Sequence, residues 1–226
     1  MAEHANNSSL EALAKAQGMA VFGVADMGPL QSTFHSSVLV SAQRLNYGIS
    51  LGFRLSDPII DGIDDRPTLL YKHHYKVANY ILDRAAAALA THITLHEYRA
   101  LPIPASQVVD WKQNLGHLSH KAVAVRAGLG WIGKSALFIH PSHRARLRLA
   151  TVLTDMPLEP GSPLDGPGCG PCDVCIAACP AGALSEQGYD RDRCAAKLGE
   201  FAKLPGIGQH ICGACVRACP GAAVSS

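Results

Sequence analysis

Cys169-Gly-Pro-Cys172-Asp-Val-Cys175-Ile-Ala-Ala-Cys179-Pro180 and Cys212-Gly-Ala-Cys215-Val-Arg-Ala-Cys219-Pro220 are the stretches on which the reading of this chain turns. The first has the spacing C-x2-C-x2-C-x3-C-P, and the second repeats its last three cysteines and the closing proline. Thiols at three-residue intervals wrap a loop around one compact inorganic group and turn backbone amides toward it. A fourth thiol, on the helix that starts after the loop, points to a neighbouring group. This is the pattern that holds a pair of 4Fe-4S clusters. Gly170 and Gly213 allow close backbone approach, and Ala177, Ala178 and Ala218 are small enough to sit beside such a cluster.

The spacing is that of bacterial two-cluster ferredoxins, in which the fourth cysteine of each run ligates the other cluster. Where the second run would need a cysteine before Cys212, Gln209 stands instead, and Cys194 is the free candidate to complete the set. The expected ligands are therefore Cys169, Cys172, Cys175 and Cys219 for one cluster, and Cys194, Cys212, Cys215 and Cys179 for the other. Two other readings stand beside this one. Disulfides suit an oxidising compartment, but cysteines at i, i+3 in tight loops have poor geometry for bridging one another. Two zinc sites could use Cys169/Cys172 and Cys212/Cys215, but the x3-C-P endings have no role in a zinc ribbon.

All eight cysteines lie beyond residue 168, so two regimes share the 226 residues. The crowd of Pro157, Pro160, Gly161, Pro163, Gly166, Pro167 and Gly168 marks a boundary loop. The expected domains are residues 1–165 and 166–226. Twenty Lys+Arg against eighteen Asp+Glu leave a formal charge of +2, which argues against a polyanion binder driven by bulk charge. With 48% hydrophobic and 17% charged residues, the chain has material for a sizeable core. No apolar run is long enough for a spanning helix, and the acidic start carries no secretory signal, so the expectation is a cytoplasmic protein with no membrane partner.

The amino-terminal regime reads as mixed helix and strand. Ser8-Ser9-Leu10-Glu11 has the form of a capping box and predicts a helix start. Met19 to Val24 and Ser37 to Ala42 read as strands, and the Gly-, Asp- and Pro-rich segment 44–66 as a long loop. From Pro67 to about His92, Leu70, Val77, Ile81, Ala85 and Leu89 recur at helical spacing and predict the longest helix. Leu118 to Arg126 reads as a helix ending at Gly128, and Phe138-Ile139 as a strand. Arg144 to Ala150 alternates basic and apolar like a half-buried strand, whose arginines, with His140 and His143, face solvent or else a phosphate or cofactor side chain.

A ferredoxin needs only the last quarter of this chain, so the rest should bind something that exchanges electrons with the clusters. The segment Ala127-Gly-Leu-Gly-Trp-Ile-Gly-Lys134 offers three glycines beside an indole and a lysine, allowing a backbone to lie against a large flat ligand. A helix end at Gly128 and core packing of Trp131 explain the same residues without a ligand.

Ala127 to Lys134, Leu153-Thr-Asp-Met-Pro-Leu-Glu-Pro160, and the cysteine array with its detached Cys194 resemble epoxyqueuosine reductase, a family related to reductive dehalogenases. Gln17 to Ala25 and Tyr71 to Leu82 are similar more loosely. The resemblance implies an α+β protein: a nitroreductase-like α/β domain holding cobalamin over 1–165, followed by a ferredoxin-like domain with two 4Fe-4S clusters over 166–226. It implies a corrinoid-dependent reductase served by a low-potential electron donor, with Gly128, Gly130, Trp131, Gly133 and Lys134 forming the cofactor pocket. The alternative is an electron-transfer or corrinoid-handling protein without substrate chemistry of its own.

Two departures bear on the substrate. The family's catalytic aspartate falls on Asn114, and an amide cannot donate an acidic proton. Tyr71, Tyr75, His73, His74 and His117 are the replacement candidates, of which Tyr75 and His117 stand first. The family's transfer-RNA enzymes also continue into a helical-repeat domain, whereas this sequence stops at Ser226. The expectation is a small-molecule or modified-nucleoside substrate and little action on intact transfer RNA.

Overall fold

The structure is a computed structural model and describes residues 2–110, 112–113, 115–166 and 168–221. In chain order its elements are α1 (Ala2–Ala16), β1 (Val21–Asp26), a 3-10 turn (Gly28–Thr33), α2 (Ser36–Leu39), β2 (Tyr47–Arg54), α3 (Asp57–Asp61), α4 (Leu69–Leu95), β3 (Ala100–Ile103), α5 (His120–Arg126), β4 (Trp131–Ile132), β5 (Phe138–Ile139), β6 (Leu147–Thr154), α6 (Val174–Ala177), β7 (Leu184–Ser185), β8 (Gly188–Tyr189), α7 (Arg191–Ala202) and α8 (Ala214–Ala218). Two compact units result: Met1–Phe53 with Ala78–Leu129 and Arg148–Leu164, and Arg54–Val77 with Gly130–Leu147 and Asp165–Ser226. No described helix is long and apolar enough to cross a membrane.

In the first unit four strands form one sheet in the order β1-β2-β6-β3, with β1/β2 and β3/β6 antiparallel. Side chains alternate across a strand, so neighbouring residues feed different cores. Val24, Ile49, Leu51 and Val152 pack with Leu10 and Ala14 of α1 and with Leu82, Leu89 and Ile93 of α4. Ala25 and Leu153 enter a second cluster with Met27, Phe34, Val38, Leu118 and Val123.

Several sequence expectations change here, each for a physical reason. Ser8 lies inside α1, not at its cap, and its hydroxyl donates to the His4 carbonyl at 3.0 Å, the i−4 bond open to a mid-helix serine. Residues 36–39 are helical, not extended, because His35 caps them: its Nδ1 accepts the Ser37 N–H at 3.2 Å. The segment 44–66 holds a buried strand, β2, and the short α3. Its glycines reflect packing, since a Cβ on Gly48 would lie 2.3 Å from Met27 Sδ and one on Gly52 3.0 Å from Val21 Cβ. Ala85 and Leu89 of the expected stripe are fully buried, but earlier in α4 the buried face is one residue further on, at Tyr71, Ala78 and Leu82, so Leu70 is 60% exposed.

The last passage between the units is at Leu164 to Asp165. The second unit also takes 54–77 and 130–147, which the sequence reading assigned to the amino-terminal domain. Packing explains this. Arg146 donates to Asp57 Oδ1 at 2.7 Å and to Asp61 Oδ1 at 2.6 Å, and its carbonyl accepts the Leu55 N–H at 2.9 Å. A Cβ on Gly213 would lie 2.6 Å from Ile63 Cδ1 and 2.9 Å from the Tyr71 ring. The cysteine loops are thus built onto segments far away in sequence.

Candidate metal centre

The two cysteine runs are short helical turns led by tight loops. Cys169 and Cys172 share a turn closed by the Cys172 N–H on the Cys169 carbonyl at 3.1 Å, and Cys175 sits on α6. Gly170, at φ +49, takes a backbone shape that an L side chain resists. In the second run Gly213, at φ +94, turns the chain into α8, which carries Cys215 and ends at Cys219. Helices α6 and α8 pack together. Cys194 stands in the first turn of α7, where the Asp190 carboxylate caps the Arg193 N–H at 3.0 Å.

All eight thiols are free and half-buried. Burial pushes Cys175 up, and the thiolate charges of Cys169, Cys219 and Cys172 push it further. Burial likewise pushes Cys215 up to about 12, reinforced by Cys212, Cys194 and Cys179, with Cys175 next. Cys219 is raised by burial and by Cys169 and Cys172, against the backbone N–H groups of Gly221 and Ala145. Cys212 is raised by burial, then by Cys194, Cys179 and Asp65, against the Ala214 N–H. Cys175 and Cys219 thus feel chiefly Cys169 and Cys172, and Cys212 and Cys215 feel chiefly Cys194 and Cys179, while Cys175 also acts on Cys215 across the two groups. Among the described residues no three His, Cys, Asp or Glu side chains converge closely enough to hold one metal ion. Thiols whose charge is so opposed suit a cationic occupant.

Backbone and side-chain donors supplement the array at positions that carry no cysteine signal. The Ala183 N–H reaches Cys179 Sγ at 3.3 Å. The Tyr189 phenol, raised chiefly by burial, hydrogen-bonds Cys194. Ala145 and Tyr189 follow no spacing rule, so sequence alone offered nothing to find them by.

The glycines of 127–134 answer mainly to the protein itself. Gly128 ends α5 at φ +75, and a Cβ there would lie 2.3 Å from the Ser162 carbonyl oxygen. A Cβ on Gly130 would lie 2.0 Å from the Ile139 carbonyl oxygen, and one on Gly133 2.8 Å from Ile139 Cγ1 and 3.1 Å from Cys169 Sγ. Gly128, Gly130 and Gly133 have G-x-G-x-x-G spacing, but they lead from a helix into a strand, the reverse of the dinucleotide-binding context. Gly168 packs on the Trp131 ring, whose indole N–H is buried without a partner. Lys134 pairs with Glu186 at 3.8 Å.

Of the proton-donor candidates, Asn114 lies outside the described residues. Next to it, Asp110 and Leu115 form a bridge, and Asp110 Oδ1 accepts the N–H groups of Lys112 and Gln113 at 2.8 and 2.9 Å. His117 belongs to a chain of polar groups in the first unit: Nε2 meets Gln107 Oε1 at 2.9 Å, Nδ1 meets Ser37 Oγ at 2.8 Å, and Ser37 Oγ meets His35 Nδ1 at 2.9 Å. Gln107, Ser37 and His35 were not legible as a set, because 80 residues separate Ser37 from His117. Tyr75 packs edge-on against Tyr71 with centroids 6.1 Å apart. His74 Nε2 accepts the Ser56 N–H at 3.0 Å, and burial holds its ring toward the neutral form. Of the basic run, Arg144 is exposed, as a solvated face requires, but Arg146 and Arg148 are engaged within the protein. Arg146 is clamped by its two aspartates with Nε buried and unpartnered, and Arg148 donates to Asn79 Oδ1 at 2.9 Å.

No protein-family model matches the chain. An epoxyqueuosine reductase of Listeria monocytogenes is 44% identical over 73 residues, 32% of this chain and 19% of that protein. A solved catabolic reductive dehalogenase in complex with 3-bromo-4-hydroxybenzoic acid superposes with a TM-score of 0.73 at 17% identity, covering 94% of this chain and 31% of that one. The epoxyqueuosine reductase structure from Streptococcus thermophilus superposes with a TM-score of 0.64 at 20% identity, covering 94% of this chain and 65% of that one. The chain resembles both groups and shares their fold of mixed helix and sheet. The sequence match spans about a fifth of the Listeria relative's own length.

Proposed function

We propose that this protein is an iron-sulfur, cobalamin-dependent reductase of the epoxyqueuosine reductase type, acting on a small electrophilic molecule or a modified nucleoside. The observation that carries it is the cysteine array itself, two C-x2-C-x3-C-P runs on the packed helices α6 and α8 with the detached Cys194 on α7. Cys169, Cys172, Cys175 and Cys219 would hold one 4Fe-4S cluster, and Cys179, Cys194, Cys212 and Cys215 the other. N–H groups on the sulfurs, such as that of Ala183, are a lever by which a protein sets a cluster's potential. For cobalamin the fit rests on Trp131, whose buried indole N–H lacks an acceptor that a corrin amide carbonyl would supply. Gly128, Gly130, Trp131, Gly133 and Lys134 are the residues assigned to that pocket. When bound, the corrin supplies the low-potential chemistry at the reacting carbon.

The chain's own part is to hold the proton. With the His117 Nε2 hydrogen on Gln107 Oε1, Nδ1 accepts from the Ser37 hydroxyl. On protonation at Nδ1 the contact reverses: His117 donates to Ser37 Oγ, and Ser37 donates to His35 Nδ1. His117 keeps a partner on each ring nitrogen in both states, the geometry a general acid needs, whereas Ser37 has a hydrogen for His35 Nδ1 only in the second. The second reading, an iron-sulfur carrier without its own substrate, is favoured by one observation: a Cβ at Gly128 or Gly130 would collide with the Ser162 or Ile139 carbonyl, so backbone packing accounts for these glycines without a ligand.

Reconstitution with iron, sulfide and cobalamin separates the two. The reductase reading expects about eight irons per chain, cobalamin absorbance that survives gel filtration, and turnover of an electrophilic substrate lost in His117→Asn. Clusters without retained cobalamin would leave the carrier. Two bound zinc ions in place of iron would defeat both.

A further inference from the structure

The loop that leads into Cys212 forms one wall of a cavity that the cluster reading does not use. Lys203-Leu-Pro-Gly-Ile-Gly-Gln209 leaves the end of α7 and, with Ala202, Lys72 and Lys76, lines a space of about 550 Å³. A Cβ on Gly206 would lie 2.7 Å from Leu69 Cδ2, so the loop is seated directly on the first turn of α4. Lys72 and Lys76 are one helical turn apart on that helix and share the cavity with Lys203.

Three observations mark this as a binding site rather than ordinary surface. In the same unit Arg54, Arg66, Lys134, Arg146, Arg193, Lys197 and Arg217 each have a carboxylate partner. Among the described residues no carboxylate is within ion-pair distance of Lys72, Lys76 or Lys203. Second, like charges at i, i+4 repel, so two unpaired lysines one turn apart weaken the helix unless an anion comes between them. Third, Gln209 Oε1 is buried and lacks a donor, and buried acceptors are rarely left so.

We propose that this cavity docks an acidic, low-potential one-electron carrier protein. This rests on the reading of Cys212 and Cys215 as cluster ligands. Carboxylates of the carrier meet the three lysines, and a backbone N–H of the same segment donates to Gln209 Oε1. An acidic polypeptide brings both kinds of group together, whereas a phosphate at neutral pH brings few donors. Leu204 and the exposed Leu69 and Leu70 offer apolar contact beside the charges. Gln209 precedes Cys212 by three residues, and its carbonyl accepts the Ile211 N–H at 2.9 Å, so the carrier docks against the lead-in to a cluster ligand. One electron leaves the carrier and is taken up by the iron held on the thiolates; no bond is made or broken, and no proton moves.

The test uses the anaerobically loaded protein, with iron content and visible absorption checked first, and an acidic flavodoxin in its hydroquinone state as the probe. Stopped-flow reduction is compared for the parent and for a Lys72→Gln, Lys76→Gln, Lys203→Gln variant, with dithionite as a second reductant. Steering by charge changes association about 10-fold or more and fades with salt. The expected result is a flavodoxin rate at least about tenfold lower in the variant at low ionic strength, a flatter salt dependence, and unchanged reduction by dithionite. Equal flavodoxin rates would overturn the docking site, and so would an equal fall with dithionite. An RNA hairpin that blocks flavodoxin reduction of the parent, with both binding and block lost in the variant, would make the cavity an RNA site and overturn it too. Failure to hold iron at all would instead overturn the cluster reading on which it stands.

Discussion

Replacing Gly130 by Ala tests whether the glycines of 127–134 serve the fold or a ligand. The added methyl carbon would lie 2.0 Å from the Ile139 carbonyl oxygen. Carbon and carbonyl oxygen ordinarily stop at about 3.3 Å, so about 1.3 Å of movement is required. The obstacle is backbone, and Ile139 is itself paired to Trp131 across β4 and β5, so no side-chain rotation relieves it. Overpacking of this kind costs about 1–3 kcal/mol, and the backbone contact puts Gly130→Ala at the upper end. For a chain of this size 1 kcal/mol moves Tm by about 2–4 °C, which gives a fall of about 6–12 °C. The assay is thermal unfolding by circular dichroism of cluster-loaded protein, with and without cobalamin. Gly199→Ala in α7 is the control: nothing lies within 4 Å of its Cβ, and removing a helical glycine there should raise Tm slightly. If Gly130→Ala melts with the parent when cobalamin is absent and loses only cobalamin retention, the packing argument is refuted and the glycine is there for the ligand.

Further outcomes follow from the same geometry. Cys179→Ala should disturb the cluster held by Cys194, Cys212 and Cys215 and spare the one beside it in sequence, read by electron paramagnetic resonance of the reduced protein; damage confined to the Cys169 set would reverse the crossed assignment. His120, whose imidazole is enclosed between Thr151 Oγ1 at 2.8 Å and the Pro104 carbonyl at 3.0 Å, is held neutral, its pKa pulled down to about 4 chiefly by burial. A folded pKa of about 4 against about 6.5 unfolded costs nothing above pH 6.5, and stability falls as pH drops toward 4, by up to about 3 kcal/mol. Urea midpoints at pH 7 and pH 5 should therefore differ less in His120→Gln than in the parent, and an equal difference would remove His120 from the account. Asn114→Asp should raise turnover of an epoxide substrate if the acid of the related enzymes acts from that position; His117→Asn in the same background then shows which of the two delivers the proton.

What the sequence disclosed divides by the range of the forces involved. The cysteine runs were legible because their signal is local: three thiols within seven residues can fold around one object, and spacing states that directly. The detached Cys194 followed by counting. Helices α4 and α5 were legible from period and from the glycine after α5. By contrast β2 was hidden, because Gly48 and Gly52 suggest a loop until Met27 and Val21 are seen to occupy the space that side chains would need. The phase of the first half of α4 was misread for a related reason, since hydrophobicity alone does not say which of two adjacent apolar stripes is buried, while Ala85 and Leu89 are buried as expected. The pairing of Arg146 with Asp57 and Asp61 links positions 89 and 85 residues apart, beyond any window of periodicity. That pairing also fixes the segment whose Ala145 N–H reaches Cys219 and so joins α3 to the chemistry of the cysteines. On the proposed assignment, Ala145 and Gly221 donate to a ligand of one cluster and Tyr189 to a ligand of the other, so each would be tuned by residues outside the spacing that marks its cysteines. Two chains with the same cysteine spacing can for that reason differ in potential, and the motif that identifies the clusters cannot set the voltage at which they work.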